Sequence, residues 1–536
     1  MTADPKIPPF EATPLDEIAR YAVEVRAAYA SQKTKDVEWR LVQLRKLYWG
    51  ITDYTPKILA ALKQDIGKPS TEAILGEIAF SLTDLNLVLK KLKTWVKDDT
   101  DLDYPLSFAP LKPRVRKEPL GPVLIIGPYN FPFMLNICPL IGAISAGCTA
   151  VIKPSESAPA TAMVLKEVVE KYLDPGSFHV VNGAIPETTA LLNEKWEKIL
   201  YTGNATVARI IAKKAAETLT PVALELGGRN PAFVSKASNL ALAARRLLWG
   251  KCNNAGQVCM SQNYVVVERD VVDDFIKYLN AACKEFFPNG PKASPDYGRI
   301  VNERQFDRIK KMLDSTRGKI VMGGESDKSE LFIAPTAVLV DSIDDPMMVD
   351  ESFGPIWCIY PVDDVKEAIK IMNKVDPTPL SLMTFGSKSE NEQVLSHVTS
   401  GGASINDSYM HGSISTLPFG GVGESGTGAY HGRASFDCFT HRRTVVATPN
   451  WMDRLLRVRY SPYSESNLKQ FLWLNSRKPD FDRNGKQISG LGYWIWMVLG
   501  LGGPTAKGAL IRWLAVLAAG YAYFTQSHYI TNLLSR

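Results

Sequence analysis

The chain has 536 residues, with 62 Lys and Arg against 56 Asp and Glu and a formal net charge of +6 at pH 7. Its 45% hydrophobic and 22% charged residues are typical of a globular protein, and its length allows two or three domains. The small net charge and the lack of a long Lys/Arg run in the body argue against nucleic acid as a partner.

The cysteine and histidine patterns argue against disulfides and metals. Seven cysteines are scattered without a CxxC pair, and the start "MTADPKIPPFEATPLDE" has no apolar signal segment, which favours a reducing compartment. The six histidines form no HxH or HxxxH cluster. We therefore expect no metal site.

The first hundred residues are predicted to be helical. Residues 14–62 carry apolar side chains at 3- and 4-residue spacing. Residues 70–96 predict one long amphipathic helix with Ser-Thr-Glu as its N-cap. The polar, Pro-rich segment 98–121 predicts a connection or an edge ribbon.

Strands and helices then alternate at a regular pitch, which predicts an α/β fold with a doubly wound parallel sheet. Ligands of such sheets bind at the carboxyl ends of the strands, where "GPYNFP", "KPSE" and "YTGNATVA" lie. A second alternating block, residues 230–440, predicts a second α/β domain. The predicted strands of the first block are 122–127, 149–154, 178–183 and 198–203, and its helices are 135–146, 161–172 and 187–192.

Two loops of the first block are candidate cofactor sites. In "YTGNATVARI" the strand ends at Gly203, and the helix that follows could receive a pyrophosphate at its N-terminus, although the full GxGxxG pattern is absent. Lys153 and Glu156 of "KPSE" are placed to bond ribose hydroxyls, or they form an ordinary strand-end turn with a solvated charge. The candidate phosphate-binding residues are Gly203, Asn204, Ala205, Thr206, Val207 and Ala208.

Three further residues are candidates for catalysis. Glu225 lies in an apolar run that ends in Gly-Gly, so its carboxyl is either a general base of raised pKa or a loop side chain with access to water. Asn130 lies between two prolines, where its amide could stabilise an oxyanion or simply form a turn. Cys259 of "NNAGQVCMSQ" is either core filler or a nucleophile, since the disulfide and metal alternatives are weak.

The order and separation of "GPYNFP", "KPSE", "YTGNATVA", "LELGG", "GQVC", "ESFGP" and "PFGGVGESGTGAYHG" resemble the aldehyde dehydrogenase superfamily over residues 15–443. The short N-terminus and the ending "AYHGRASFDCFTHRR" are similar to class 3, the branch that includes fatty aldehyde dehydrogenases. Within it, the sequence looks like fungal members that oxidise an apocarotenal.

The resemblance implies a role for each candidate. Cys259 matches the nucleophile that forms a thioester. Asn130 matches the oxyanion donor, together with the backbone N–H of Cys259, and Glu225 matches the residue that activates water. Glu351 matches the residue that holds the nicotinamide ribose, and class 3 members also use it in proton transfer. Phe353 matches its cofactor-packing neighbour.

The resemblance also implies NAD as cofactor, with NADP not excluded. Many members have Gly at the position of Ala208, which affects the phosphate geometry. Glu156 favours NAD, because a carboxylate repels a 2′-phosphate. Lys153 and Glu156 match positions near the adenosine ribose.

A domain division and a homodimer follow from the same resemblance. We expect an NAD-binding domain of residues 1–97 and 122–226, and a catalytic domain of residues 227–437. Residues 98–121 and 438–475 are expected to form a bridging and oligomerisation element. Residues 488–536 are expected to form a C-terminal membrane-associated tail.

The tail is apolar and rich in Trp and Tyr, in residues 490–503 and 509–524. It favours a C-terminal membrane anchor, either a spanning helix from 509 to 530 or an interfacial hairpin. The alternative is a helical pair that packs on another subunit. With such an anchor, the protein is expected to lie on the cytosolic face of an intracellular membrane.

We therefore expect NAD-dependent oxidation of a long, apolar aldehyde, either a fatty aldehyde or an apocarotenal, to its acid. The alternatives are short or aromatic aldehydes, transfer of the thioester to coenzyme A, and a non-catalytic membrane-bound scaffold.

Overall fold

The computed structural model describes residues 5–104, 106–475, 479–488, 490–500 and 506–534. The chain divides into two compact units. The first comprises Met1–Asp99 and Val115–Thr444, and the second comprises Thr100–Arg114 and Val445–Arg536.

The N-terminal part is helical, as predicted, and begins with α1 (Leu15–Ala30) and α2 (Val37–Ile66). The predicted single helix 70–96 is interrupted, because a π-helical turn, Ile74–Ala79, separates α3 from α4. The predicted Ser-Thr-Glu cap is wrong, since the N-cap position is Pro69, which has no side-chain acceptor. The remaining helices are α3 (Ser70–Ala73), α4 (Phe80–Trp95), α5 (Met134–Ala146), α6 (Pro159–Tyr172), α7 (Ile185–Asn193), α8 (Ala205–Ala216), α9 (Leu240–Cys252), α10 (Val272–Phe286), α11 (Glu303–Asp314), α12 (Pro346–Val349), α13 (Val365–Val375), α14 (Lys388–His397), α15 (Gly432–Cys438), α16 (Glu465–Asn475), α17 (Leu491–Gly500) and α18 (Ala506–Leu534).

Within the described residues, the strands form two large sheets and two small ones. The predicted edge ribbon is confirmed, because β1 pairs with β17 in a two-stranded sheet. The strands are β1 (Arg114–Pro119), β2 (Pro122–Ile126), β3 (Thr149–Lys153), β4 (Phe178–Val180), β5 (Lys198–Thr202), β6 (Val222–Glu225), β7 (Pro231–Val234), β8 (Tyr264–Glu268), β9 (Lys319–Met322), β10 (Ser326–Asp327), β11 (Phe332–Ile333), β12 (Thr336–Leu339), β13 (Ile356–Val362), β14 (Ser381–Phe385), β15 (Gly402–Ile405), β16 (Gly426–Thr427) and β17 (Thr440–Val445).

The six-stranded sheet has the order β16-β6-β5-β2-β3-β4, and only β16 runs antiparallel to its neighbour. This confirms the predicted doubly wound parallel sheet. Successive residues of β2 face opposite sides: Val123 and Ile125 belong to one apolar cluster, and Leu124 and Ile126 belong to another. Helices therefore cover both faces, and the strand ends carry the polar loops.

The seven-stranded sheet has the order β15-β14-β7-β8-β13-β12-β9 and is parallel except for β9. It has its own large apolar core, to which Phe233, Val266 and Trp357 contribute fully buried side chains. The second predicted α/β block therefore forms a second sheet, and Cys259 lies in the loop before β8.

The C-terminal tail forms two helices, α17 and α18, in the second unit. The indole Nε1 of Trp513 donates to the carbonyl of Leu499 at 2.7 Å, which joins the pair. Many apolar side chains of these helices are exposed, among them Trp494, Leu514 and Tyr523.

The predicted membrane-spanning helix is not supported. Among the residues that the structure describes, no helix combines the length and the apolar character needed to cross a membrane. The sequence of α18 contains Lys507, Arg512, Gln526 and His528, and such polar groups are costly in hydrocarbon. Residues 489, 501–505 and 535–536 of the predicted tail lie outside the described residues.

Candidate active site

The loop that carries Cys259 begins with three consecutive residues in the left-handed region. Asn254, Ala255 and Gly256 have φ values of 52°, 51° and 72°. A Cβ on Gly256 would lie 2.2 Å from the carbonyl oxygen of Gly354, so only glycine fits at this crossing. The tight turn after α9 thus brings Cys259 beside the "ESFGP" loop.

Asn230 anchors the cysteine itself. Its fully buried side-chain amide donates to the carbonyl of Cys259 at 2.6 Å and to that of Ser261 at 3.1 Å. Its amide oxygen accepts from the backbone N–H of Ser381 at 2.9 Å. Asn230 is a site residue that sequence reasoning missed. The available signal was a strongly polar side chain directly before the apolar strand β7.

Asn130 is buried in the turn after β2 and faces the same loop. Its side-chain amide donates to the carbonyl of Gln257 at 3.0 Å, and its own carbonyl accepts from the side chain of Asn254 at 2.8 Å. Asn130 and the cysteine loop are therefore joined by hydrogen bonds in both directions. One N–H of the Asn130 amide is used in this contact, and an amide has two.

Glu225 ends β6 at the carboxyl edge of the six-stranded sheet, in register with Thr202 of β5. It is only 3% exposed, and neither carboxyl oxygen has a hydrogen-bond partner among the described residues. Burial alone raises the pKa of Glu225 well above its usual value. The structure therefore favours the general-base alternative over a solvated loop glutamate.

Glu351 packs against the Gly-Gly pair that follows Glu225. A Cβ on Gly227 would lie 2.2 Å from Oε2 of Glu351, so the glycine makes room for this carboxyl group. Burial raises the pKa of Glu351 to about 7, against a hydrogen bond from the Gly228 backbone and the charge of Lys251.

Lys251 is a second residue that sequence reasoning missed. It is 1% exposed, and its ammonium donates to the carbonyl of Gln262 at 2.8 Å and to the hydroxyl of Ser352 at 3.2 Å. Burial lowers the pKa of Lys251 to about 7, against the opposing charge of Glu351. It joins the cysteine loop to the "ESFGP" loop.

The thiol of Cys259 lies close enough to both carboxyl groups to respond to their charge. Burial raises its pKa to about 12, and the charges of Glu351 and Glu225 add to the increase. Backbone hydrogen bonds at Cys259 and Met260 act in the opposite direction. The resting thiol is therefore protonated near neutral pH, and a base must take its proton before it can react.

The two candidate cofactor loops follow β5 and β3, the strands on either side of β2 in the six-stranded sheet. Asn204 caps α8, with its side chain accepting from the Val207 N–H at 2.9 Å, and the Gly203 N–H donates to the carbonyl of Glu225 at 3.0 Å. At the end of β3, Lys153 pairs with Glu156 at 2.9 Å. A helix N-terminus and this charged pair match the phosphate and ribose groups of a dinucleotide.

Ala208 and Phe353 complete the predicted set. Ala208 is 1% exposed and packs in the apolar cluster under β5, so the sheet accommodates its extra methyl group. Phe353 has a φ of 41°, and its ring meets that of Tyr129 edge to face at 5.9 Å. Phe353 thus joins the "ESFGP" loop to the "PYNFP" turn.

An apolar cluster lies against Cys259. Cys259 and Met260 pack against buried side chains that come from both halves of the first unit. The cluster consists of Leu135, Cys138, Leu380, Phe419 and Tyr430, with Phe80, Phe131 and Met134 packed against it. The space next to Cys259 therefore suits an apolar group rather than a charged one.

Comparison with known proteins identifies the family. Residues 7–445 match the model of the aldehyde dehydrogenase family, and the chain belongs to that family. It is an enzyme that oxidises aldehydes, with NAD or NADP as the oxidant. The resemblance predicted from the motif order is confirmed.

Two fungal relatives match almost the whole chain. Beta-apo-4'-carotenal oxygenase of Neurospora crassa is 60% identical over 517 residues, which is 96% of this chain and 97% of that protein. The Gibberella fujikuroi protein of the same name is 51% identical over 530 residues, 99% of this chain and 98% of that protein. The substrate-bound structure of Staphylococcus aureus AldH superposes with a TM-score of 0.81 at 39% identity, covering 85% of this chain and 99% of that one.

Proposed function

We propose that this enzyme oxidises a long, apolar aldehyde to the carboxylic acid with NAD, through a thioester on Cys259. The observation that carries the proposal is the environment of Cys259, a half-buried thiol that packs against an apolar cluster and whose pKa responds to the charges of Glu225 and Glu351. The candidate substrates are fatty aldehydes and apocarotenals such as β-apo-4′-carotenal, the aldehyde for which the two fungal relatives are named.

The first step is addition of the Cys259 sulfur to the aldehyde carbon. A neighbouring carboxylate takes the thiol proton, and the carbonyl oxygen gains the negative charge. The free N–H of the Asn130 amide and the backbone N–H of Cys259 stabilise this oxyanion. A bound nicotinamide dinucleotide supplies the acceptor for the hydride that leaves the reacting carbon.

The cofactor is held by three groups of residues in this proposal. The N-terminus of α8, with residues 203–208, receives the pyrophosphate. Lys153 and Glu156 bond the adenosine ribose, and the carboxylate of Glu156 disfavours a 2′-phosphate, which selects NAD over NADP. Glu351 would hold the nicotinamide ribose, and Phe353 would pack against the cofactor beside it. In this proposal the segments 1–97 and 122–226 form the NAD-binding domain, and 227–437 the catalytic domain.

The thioester is hydrolysed with Glu225 as the general base. The raised pKa of Glu225 brings it toward the operating pH, where a carboxylate takes a proton from water most effectively. A base that activates water favours hydrolysis of the thioester over its transfer to coenzyme A. The two reactions can be distinguished because hydrolysis releases the acid without an added thiol.

The decisive experiment measures NADH formation with short aliphatic, long aliphatic, aromatic and apocarotenoid aldehydes. Wild type, Cys259→Ala and a control, Cys283→Ala, are compared, because Cys283 lies on α10 away from the site. Activity with long or polyene aldehydes that only Cys259→Ala abolishes supports the proposal. Preference for short or aromatic aldehydes contradicts the substrate class, and inactivity with NAD and NADP favours a non-catalytic scaffold.

We also propose that the tail, residues 488–536, lies in a membrane interface rather than across the bilayer. The exposed Trp494, Leu514 and Tyr523 of α17 and α18 support this, since helices that combine exposed aromatic and apolar side chains with polar residues favour the headgroup boundary. Sedimentation with neutral phosphatidylcholine vesicles tests it. Loss of binding in a variant that ends at residue 487 is expected, and full binding of that variant contradicts the proposal.

A homodimer, with 98–121 and 438–475 as its bridging element, completes the proposal. Exposed Trp249 and Met410 line a surface groove of about 440 Å³ beside α9, and such aromatic and Met side chains are enriched at interfaces. Light scattering of purified enzyme is expected to give twice the chain mass of 59.2 kDa. A monomer mass contradicts the dimer.

A further inference from the structure

A buried ion pair lies behind the Asn130 turn. Nζ of Lys68 and Oε1 of Glu77 are 2.6 Å apart, and both side chains are completely buried. Lys68 follows the end of α2, and Glu77 lies in the π-helical turn between α3 and α4. π-helical turns occur frequently at functional sites, and this one places a carboxylate on the active-site side of the helix.

Both partners also bond the backbone of the turn. Lys68 donates to the carbonyl of Asn130 at 3.1 Å, and its ammonium lies 4.0 Å from the centre of the Phe131 ring. The second oxygen of Glu77 accepts from the backbone N–H groups of Phe133 at 3.1 Å and Met134 at 2.8 Å. The pair therefore restrains residues 130–134 at both ends.

Stability alone does not explain an ion pair at this place. Two charges removed from water carry a large desolvation cost, and a well-packed apolar pair of similar volume is often as stable. An apolar pair would lack the directional bonds to Asn130, Phe133 and Met134. What the charged pair adds is therefore a defined orientation of the turn.

We propose that Lys68 and Glu77 are positioning residues that orient the Asn130 amide for oxyanion stabilisation. The inference rests on the proposed function, which assigns that role to Asn130. The carbonyl that Lys68 binds also accepts from Asn254 of the cysteine loop, so the pair fixes Asn130 relative to Cys259. A small displacement of an oxyanion donor is sufficient to slow the reaction substantially.

The first test replaces the pair by an apolar one, Lys68→Met with Glu77→Leu. We expect kcat to fall about 10- to 100-fold while KM for the aldehyde changes little, since the lost interaction acts mainly in the transition state. The matched control is Lys57→Met with Glu167→Leu, an ion pair of 2.6 Å between α2 and α6 away from the site. An unchanged kcat in the Lys68 and Glu77 variant, or an equal fall in the control, overturns the proposal.

The second test repeats the apolar replacement in an Asn130→Ala background. If the pair acts through Asn130, it has no further effect on kcat there, because the group it orients is gone. An equal fold-decrease in both backgrounds indicates a merely structural role and contradicts the inference. Full activity of Asn130→Ala alone contradicts the proposed role of Asn130 instead, so the two failures are distinguishable.

Folding is followed by thermal unfolding of each variant. If the apolar replacement does not fold, Glu77→Gln takes its place in the same cycle, because it preserves shape and one backbone acceptor. It is expected to lower kcat in the wild-type background and to leave kcat unchanged in the Asn130→Ala background.

Discussion

The side-chain amide of Asn130 donates to the carbonyl of Gln257 at 3.0 Å, two residues before Cys259. The candidate oxyanion donor is thus bonded to the loop that carries the candidate nucleophile. Asn130 follows β2 of the six-stranded sheet, and Cys259 precedes β8 of the seven-stranded sheet. This bond therefore sets the distance between the amide donor and the sulfur. It also leaves the second amide N–H of Asn130 for the substrate oxygen.

We predict that Asn130→Ala lowers kcat about 10²- to 10³-fold, the usual effect of removing one oxyanion donor. The measurement is the rate of NADH formation in the first turnover, which reports the acylation step directly. Asn239→Ala is the control, since Asn239 only caps α9 by accepting from the Leu242 N–H. A first turnover as fast as wild type would rule out an oxyanion role.

Glu225→Gln is predicted to separate acylation from hydrolysis. The variant should form about one equivalent of NADH per active site and then turn over about 10²- to 10⁴-fold more slowly, because no base activates water. Wild-type activity should rise with pH as Glu225 ionises, starting above its usual pKa of 4.5 because burial raises it. A linear time course with no burst would place the base elsewhere, and Glu351 is the candidate.

The strands could be predicted from the sequence because their signals are local. Buried parallel strands are short apolar runs, and β2, β3 and β5 match the predicted segments within three residues at each end. The place of Glu225 in such a run made its carboxyl group a candidate general base, and the structure buries it. The order of the motifs grouped Cys259 with Glu225 and Glu351, and the charges of both carboxyl groups raise the pKa of Cys259 in the structure.

The supporting contacts could not be predicted because their partners are far apart in sequence. Lys68 and Asn130, or Asn230 and Cys259, meet only after two sheets have formed. The π-helical turn in the predicted helix 70–96 contains the buried Glu77, whose partners Lys68 and Phe133 come from other segments of the chain. The spanning alternative for the tail is not supported, because no helix among the described residues is both long and apolar enough to cross a membrane.

The carboxyl group of Glu225 is buried without a hydrogen-bond partner among the described residues. It is therefore expected to lower the free energy of unfolding at higher pH. Below pH 4.5 the carboxyl group is protonated in both the folded and the unfolded chain. Above it the unfolded chain releases a proton that the folded chain retains, because burial raises the pKa of Glu225 in the fold. The free energy of unfolding therefore falls as pH rises through this window.

Glu225→Gln should consequently be more stable than wild type near pH 8, with a Tm higher by about 2 °C or more. The difference should shrink toward pH 5, where the native carboxyl remains protonated at little cost. Thermal unfolding of both proteins at the two pH values measures this. Equal Tm values at pH 8 would mean that the ionised carboxylate is solvated or paired in the folded enzyme.

The last prediction concerns the reactivity of Cys259 without substrate or cofactor. Because burial and the neighbouring carboxyl groups raise the pKa of this thiol to about 12, iodoacetamide should alkylate it at least about 10-fold more slowly at pH 8 than a free thiol. Glu351→Gln should accelerate the reaction, since it removes a negative charge that raises this pKa. Mass spectrometry of the Cys259 peptide follows the rate, with Cys259→Ala as the control for labelling elsewhere. Rapid alkylation of the wild-type enzyme would mean that the thiolate is already stabilised at rest.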